Sequence, residues 1–161
     1  MRTLNRFLSL AAALAIAGVS GLRAQSGVAI EAGVASAGGG SDLQLGIRAD
    51  GVKSRGVGVE FSISTFPKAL GEGVFLGISD LGPVGAIPLG EAAWLMPHAG
   101  VSGLVGVASM YAGGAVGFDV GLGVLVKPGD GTGVRFDFTY RRFTMDGASL
   151  GLTTVSVGFA F

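Results

Sequence analysis

VSVGFAF, Val155 to Phe161, decides how the rest of this chain is read. Val155, Val157, Phe159 and Phe161 are large and apolar, while Ser156, Gly158 and Ala160 between them are small. Successive side chains of a β-strand point to opposite faces, so the segment predicts a strand with one greasy face and one lean one. The greasy face runs to the final aromatic with no polar tail behind it. A terminal strand in water frays into solvent. Against lipid it need not, and an aromatic ring suits the membrane interface. We therefore expect Val155, Val157, Phe159 and Phe161 to meet a bilayer.

The same period of two recurs toward the N-terminus. Seven further strands are expected at about residues 27–37, 42–51, 56–66, 73–87, 92–107, 113–126 and 133–143, with the eighth at 150–161. In the third, Val57, Val59, Phe61 and Ile63 alternate with Gly58, Glu60, Ser62 and Ser64. In the sixth, Val116, Phe118, Val120, Leu122 and Val124 alternate with Gly117, Asp119, Gly121 and Gly123. The fourth opens on Val74, Leu76 and Ile78, and its phase is expected to break at Asp80-Leu81-Gly82-Pro83 with a bulge or kink, because proline cannot donate to a ladder. In the fifth, Leu95, Ala99, Val101 and Val105 oppose His98 and Ser102, with Pro97 arguing against a regular strand. Asp50-Gly51, Pro128 to Gly131 and Asp146-Gly147 supply turn chemistry.

Composition restricts the function classes. Charged residues make up 14% of the chain against roughly a quarter in ordinary domains, and Gly numbers 31. There is no cysteine, hence no disulfide framework, thiolate metal site or thiol nucleophile. Acids and bases balance at 11 each, so no nucleic-acid surface is expected. Beyond the N-terminus no apolar run is long enough for a transmembrane helix. High hydrophobicity without long apolar runs is the signature of strands that cross lipid as a closed barrel. Arg2 and Arg6 followed by the apolar run Phe7 to Val19 predict a signal peptide over 1–24, cut after Ala24 or, because Leu22 is bulky, after Gly21. Residues 25–161 then form one barrel domain.

The lean faces hold Glu31, Arg48, Asp50, Glu60, His98, Asp119, Arg135, Asp137 and Arg141 among glycines. Small or mutually paired side chains fit the narrow inside of an eight-stranded barrel, so these residues are expected to form a lumen ion network. A charge at midplane on the lipid side costs roughly 2–4 kcal/mol, and the greasy faces are almost free of charge. Arg142 is the exception, at a strand end where it can snorkel. With both termini at the periplasmic side, the connections near Lys53, Pro88 and Pro128 are periplasmic, and those near Gly39, Lys68, Tyr111 and Met145 extracellular. Aromatic girdles are expected from Phe66, Tyr140 and Phe143 above and Trp94, Phe159 and Phe161 below. Lys68, Arg141 and Arg142 are candidate contacts for lipopolysaccharide phosphates at the outer rim.

The terminal motif, the alternation and the signal peptide together resemble the OmpA/OmpX-like family of small bacterial outer-membrane β-barrels. The resemblance implies an all-β, eight-stranded antiparallel up-and-down transmembrane barrel in the outer membrane of a Gram-negative-type bacterium. It also implies that Val155, Val157, Phe159 and Phe161 serve as a signal to the barrel-assembly machinery. Members of that class stabilise the envelope, act as adhesins or evasion factors, or modify lipids. We expect a monomer without cofactor or metal, in a non-enzymatic envelope or surface-interaction role. A narrow pore for small or apolar solutes is the alternative, and a lipid-modifying enzyme the second. For the last, His98 and Ser102 invite comparison with outer-membrane lipid A deacylases. Those enzymes place His and Ser two apart on the lipid-facing side, whereas here they are four apart and inward, with no acid partner identified. Gly38-Gly39-Gly40 and Gly113-Gly114 lack a following GK[ST], and the acids Asp119, Asp130 and Asp137 lack calcium-loop spacing.

Overall fold

Alternation is realised over the whole ring. The computed structural model describes residues 26–52, 55–109, 111–128, 131–145 and 147–161. The expected signal peptide and the turn residues Lys53, Asp130 and Asp146 lie outside the described residues. The strands are β1 (Ser26–Ala37), β2 (Gly40–Gly51), β3 (Gly56–Thr65), β4 (Val74–Pro88), β5 (Ala93–Ala108), β6 (Tyr111–Val126), β7 (Gly133–Met145) and β8 (Ala148–Ala160). Each pairs antiparallel with its sequence neighbours, and β8 closes onto β1, with Ile30 opposite Phe159 and Val34 opposite Val155. Closure removes the sheet edges that lipid could not hydrogen-bond.

The β1–β2 hairpin turns on Gly38 and Gly39, both at positive φ, 57° and 86°. Two adjacent left-handed residues define the turn whose twist matches that of paired strands. The end of the barrel bearing this hairpin is termed upper here. A short helix, α1 (Pro67–Gly71), starts on a proline and lies between β3 and β4 at the same end. Proline at the first helical turn removes only an N–H that has no intrahelical partner.

Outward positions are apolar and exposed: Ile30, Val34, Ile47, Val59, Phe118, Val120, Phe136, Phe138, Val155, Phe159 and Phe161 among them. Inward positions carry the ions and many of the glycines. At Gly121 the absence of a side chain is required, since a Cβ there would lie 2.6 Å from His98 Cε1 and 2.5 Å from the Phe138 carbonyl oxygen.

Three expectations are corrected. The fourth strand does not lose phase. Its register with β3 runs unbroken from Gly56↔Ala86 to Thr65↔Gly77, and with β5 it is the same at Leu81↔Val101 and Val84↔His98. Pro83 and Pro97 forgo N–H donation without forcing a bulge. Leu76 and Ile78 therefore share the inward face with Asp80 and Val84. The aromatic girdles also differ from expectation: Phe66 and Phe143 are buried inside, and Trp94 packs inward on Val52, Val84, Ala86 and Met96. Parity explains all three, because Phe66 is in phase with Glu60, Phe143 with Arg141, and Trp94 with His98. Arg141, expected also at the rim, points into the lumen and is 2% exposed.

These inward apolar residues form two clusters. The upper one joins Ala35, Phe66, Ile78, Ala115, Phe143 and Leu152, flanked by Leu76, Leu104 and Leu150. The lower one joins Val52, Val84, Ala86 and Met96, flanked by Trp94 and Leu125. If the outward faces contact hydrocarbon, Val120→Arg should lower unfolding stability in lipid vesicles by about 2–4 kcal/mol, and Thr144→Arg near the strand end by no more than about 1 kcal/mol. Urea titration of the reconstituted protein measures both, and equal costs would contradict the assignment of faces.

Candidate functional site in the barrel lumen

Between the two apolar clusters the lumen is ionic. Charged side chains removed from water must be paired and fully hydrogen-bonded, because each carries a desolvation penalty of several kcal/mol. Most of the inward ions are paired, in two groups that no hydrogen bond or ion pair joins among the described residues.

The lower group is built around Glu60 on β3. One of its carboxylate oxygens accepts from Arg48 Nη1, and the other from Arg135 Nη2 at 2.7 Å. Arg48 Nε donates to Glu31 Oε1 on β1 at 2.7 Å. Arg135 Nε donates to Asp137 Oδ2 at 2.5 Å, and its Nη1 to Asp50 Oδ2 at 3.3 Å. Arg135 is 1% exposed and engages three carboxylates. His98 on β5 joins the edge of this group. Its Nε2 lies 3.2 Å from Thr139 Oγ1, and its Nδ1 3.7 Å from Asp137 Oδ1.

The upper group is built around Asp80 on β4. Arg141 holds it with two parallel hydrogen bonds, Nε to Oδ1 at 3.0 Å and Nη2 to Oδ2 at 2.7 Å. This fork geometry is the strong form of the pair. Ser62 Oγ donates to Oδ2 at 2.7 Å and Ser102 Oγ to Oδ1 at 2.6 Å. Arg141 Nη1 donates to Thr154 Oγ1 at 2.9 Å. Asp119 reaches the group through Ser102, at 3.2 Å.

Glu31, Arg48, Asp50, Glu60, His98, Asp119, Arg135, Asp137 and Arg141 thus all line the lumen. Asp80, the centre of the upper group, was not anticipated. The available signal was the parity of β4 carried through Pro83, which puts Asp80 on the inward face opposite Ser62 and Ser102. Outside the network, Lys68 lies exposed on α1 and Arg142 exposed on the outer wall, where its Nη2 donates to Ser149 Oγ at 3.4 Å.

Nucleophilic catalysis needs a serine within hydrogen-bond reach of its base. Ser102 faces Asp80 and Asp119, and His98 faces Thr139, so the two candidates engage different partners. No cluster of three or more metal-ligating side chains occurs among the described residues. One cavity of about 10 Å³ lies between the two groups, bordered by Gln44, Arg48, Ser64, Arg141, Thr154 and Ser156. That is room for about one water molecule.

No family model matches the chain, and no curated protein sequence matches it. Solved structures of similar fold do. Neisserial surface protein A (NspA) superposes with a TM-score of 0.64 at 11% identity, over 84% of this chain and 94% of that one. The N-terminal β-barrel domain of Pseudomonas aeruginosa OprF gives 0.58 at 14% identity, over 84% and 97%. The outer-membrane enzyme PagL gives 0.50 at 16% identity, over 83% and 98%. The chain has the fold of these small eight-stranded outer-membrane barrels.

Arg48 and Arg135 share Glu60, whereas Arg135 and Arg141 share no partner. Each single Arg→Met change should cost about 3–5 kcal/mol by stranding buried carboxylates. Arg48→Met and Arg135→Met should combine with a coupling above about 0.5 kcal/mol, and Arg135→Met with Arg141→Met additively. Urea unfolding of the singles and doubles in lipid vesicles tests the division into two groups.

Proposed function

We propose that the chain is an integral barrel of the outer membrane of a Gram-negative-type bacterium, exported by a signal peptide, with a non-enzymatic role in envelope structure or surface interaction. The observation that best supports it is the filled lumen: ion-paired through the middle and stopped by an apolar cluster at each end. Such an interior stiffens a wall and leaves little room for a solute among the described residues. It weighs against a pore, which would need space well beyond a cavity of about 10 Å³.

PagL shows that this fold hosts an enzyme, so fold alone leaves activity open. The separate partners of Ser102 and His98 favour the non-enzymatic reading. Short connections favour a structural or lipid-contacting role over an adhesin with a large display surface. In this reading the upper end is extracellular, and Lys68 and Arg142 are placed to touch lipopolysaccharide phosphates, without Arg141. Val155, Val157, Phe159 and Phe161 form the outward row of β8 that the assembly machinery would read. The barrel acts as a monomer.

Purified protein reconstituted in planar bilayers should give no conductance above background. It should migrate on gels as a heat-modifiable band and resist carbonate extraction from membranes. Reproducible conductance steps would favour the pore, and a lipid A profile altered by His98→Ala would favour the enzyme.

A further inference from the structure

The two ion groups face each other across a small hole in the lumen lining, and the register of β8, β1, β2 and β3 explains why it is there. Gly33 on β1 lies between Gln44 on β2 and Ser156 on β8, while Gly46 on β2 lies between Glu31 on β1 and Ser64 on β3. All of these positions face inward, so side chains and bare backbone alternate from strand to strand. Neither glycine can be replaced by a residue that would fill the gap. A Cβ at Gly33 would lie 2.5 Å from the Val155 carbonyl oxygen, and one at Gly46 2.9 Å from that of Ile63. The result is the cavity of about 10 Å³, bordered by Glu31 and Arg48 of the lower group and by Arg141 and Thr154 of the upper one.

One polar atom on its wall is unanswered. Gln44 is 5% exposed, and its Oε1 has no hydrogen-bond partner among the described residues. Its Nε2 donates to Ser64 Oγ at 2.5 Å. Exchanging the amide oxygen and nitrogen would move the deficit to the nitrogen without removing it. A buried carbonyl left unpaired carries its full desolvation cost. Two neighbours have capacity to spare. Thr154 Oγ1 accepts from Arg141 Nη1 at 2.9 Å, which leaves the hydroxyl its own hydrogen to donate. Glu31 gives Oε1 to Arg48 Nε, which leaves Oε2 to accept.

The ligand that fits must donate twice, accept once and be very small. A cation would meet the oxygens of Gln44 and Glu31 but would stand between the Arg48 and Arg141 guanidiniums. A halide would meet the guanidiniums but also the Gln44 carbonyl and the Glu31 carboxylate. Water both donates and accepts, and the volume suits one molecule.

We infer that this cavity holds one ordered water that joins the two ion groups into a single network. The water accepts from the Thr154 hydroxyl and donates one hydrogen to Gln44 Oε1 and the other to Glu31 Oε2. A continuous chain then runs from Asp80 through Arg141, Thr154, the water, Glu31 and Arg48 to Glu60. It crosses from β8 to β1, the pair of strands that closes the ring.

The test is a crystal structure of the full-length protein, exported and purified from membranes, with crystals soaked in rubidium bromide. Anomalous scattering tells both of those ions from water. One peak without anomalous signal should lie within about 2.7–3.2 Å of the Gln44 amide, Thr154 Oγ1 and the Glu31 carboxylate. An anomalous peak, no peak, or a peak that reaches only one of the three would overturn the inference. Urea unfolding in lipid vesicles gives a second readout. Gln44→Met and Thr154→Val each remove one partner of the water, so the double variant should fall short of the product of the single effects on the unfolding constant by about twofold or more. Thr154→Ser, which keeps the hydroxyl, should show no such shortfall relative to wild type when combined with the same reference protein, and its crystals should retain the peak. Independent effects of Gln44→Met and Thr154→Val would overturn the inference; should Thr154→Val not fold, the density in the wild type and in Thr154→Ser decides.

Discussion

The interior of this barrel depends on guanidinium groups buried away from bulk solvent. Arg135 sits under one constraint: eight strands enclose so little space that an inward side chain must be tiny, apolar or paired. Its fork is matched by carboxylates from β2, β3 and β7, so one residue ties together strands far apart in the sequence. Arg141 does the same for β4, β7 and β8 through Asp80 and Thr154. Removing either partner strands a buried charge, which is why such pairs specify an arrangement more firmly than they stabilise it.

The serine and threonine residues on the inward faces follow from the same constraint. Carboxylates Glu31, Asp50, Glu60, Asp80, Asp119 and Asp137 outnumber the guanidiniums of Arg48, Arg135 and Arg141. Ser62 and Ser102 donate to Asp80, and Ser102 also faces Asp119, so hydroxyls complete what the arginines leave undone. This gives Ser102 a structural employment of its own. At the two ends of the network the demand for polar partners is met by replacing ions with Phe66, Ile78 and Phe143 above, and with Val84 and Met96 below. Large apolar side chains there shield the ion pairs from water, which strengthens them.

The architecture was legible because period-two alternation runs plainly through most strands, above all at Val57 to Ser64 and Val116 to Val124, although β4 and the upper part of β8 turn apolar residues inward. Parity, not residue type, decides the face a side chain takes. Phe66, Phe143 and Trp94 suit the lipid interface by residue type, but each is in phase with an inward ion and packs inside. Asp80 is masked in the sequence by Pro83, which has the look of a strand interruption. A single missing N–H removes one ladder bond, but neighbouring pairs on both sides of β4 hold the strand in register. The pairing of Asp80 with Ser62, Ser102 and Arg141 could not be read from sequence, since it depends on the stagger between strands. Helix α1 was likewise missed, because five residues are too few to show a helical period.

Stagger also decides which side chains meet on the outer wall, where Tyr140, Thr153, Ser36 and Ser41 form one row of hydroxyls across β7, β8, β1 and β2. Ser36 and Ser41 flank one hairpin and are close in sequence, but Thr153 and Tyr140 join them only because β8 closes onto β1 and β7 follows β8. A shift of one residue at that closure would exchange the faces of β8, turning Thr154 outward and Val155 into the lumen. Arg141 would then lose the hydroxyl that accepts from its Nη1. The inner ion network and the outer hydroxyl row are therefore fixed by one register. The buried charges, which tolerate no slip, hold in place a surface feature that they never touch.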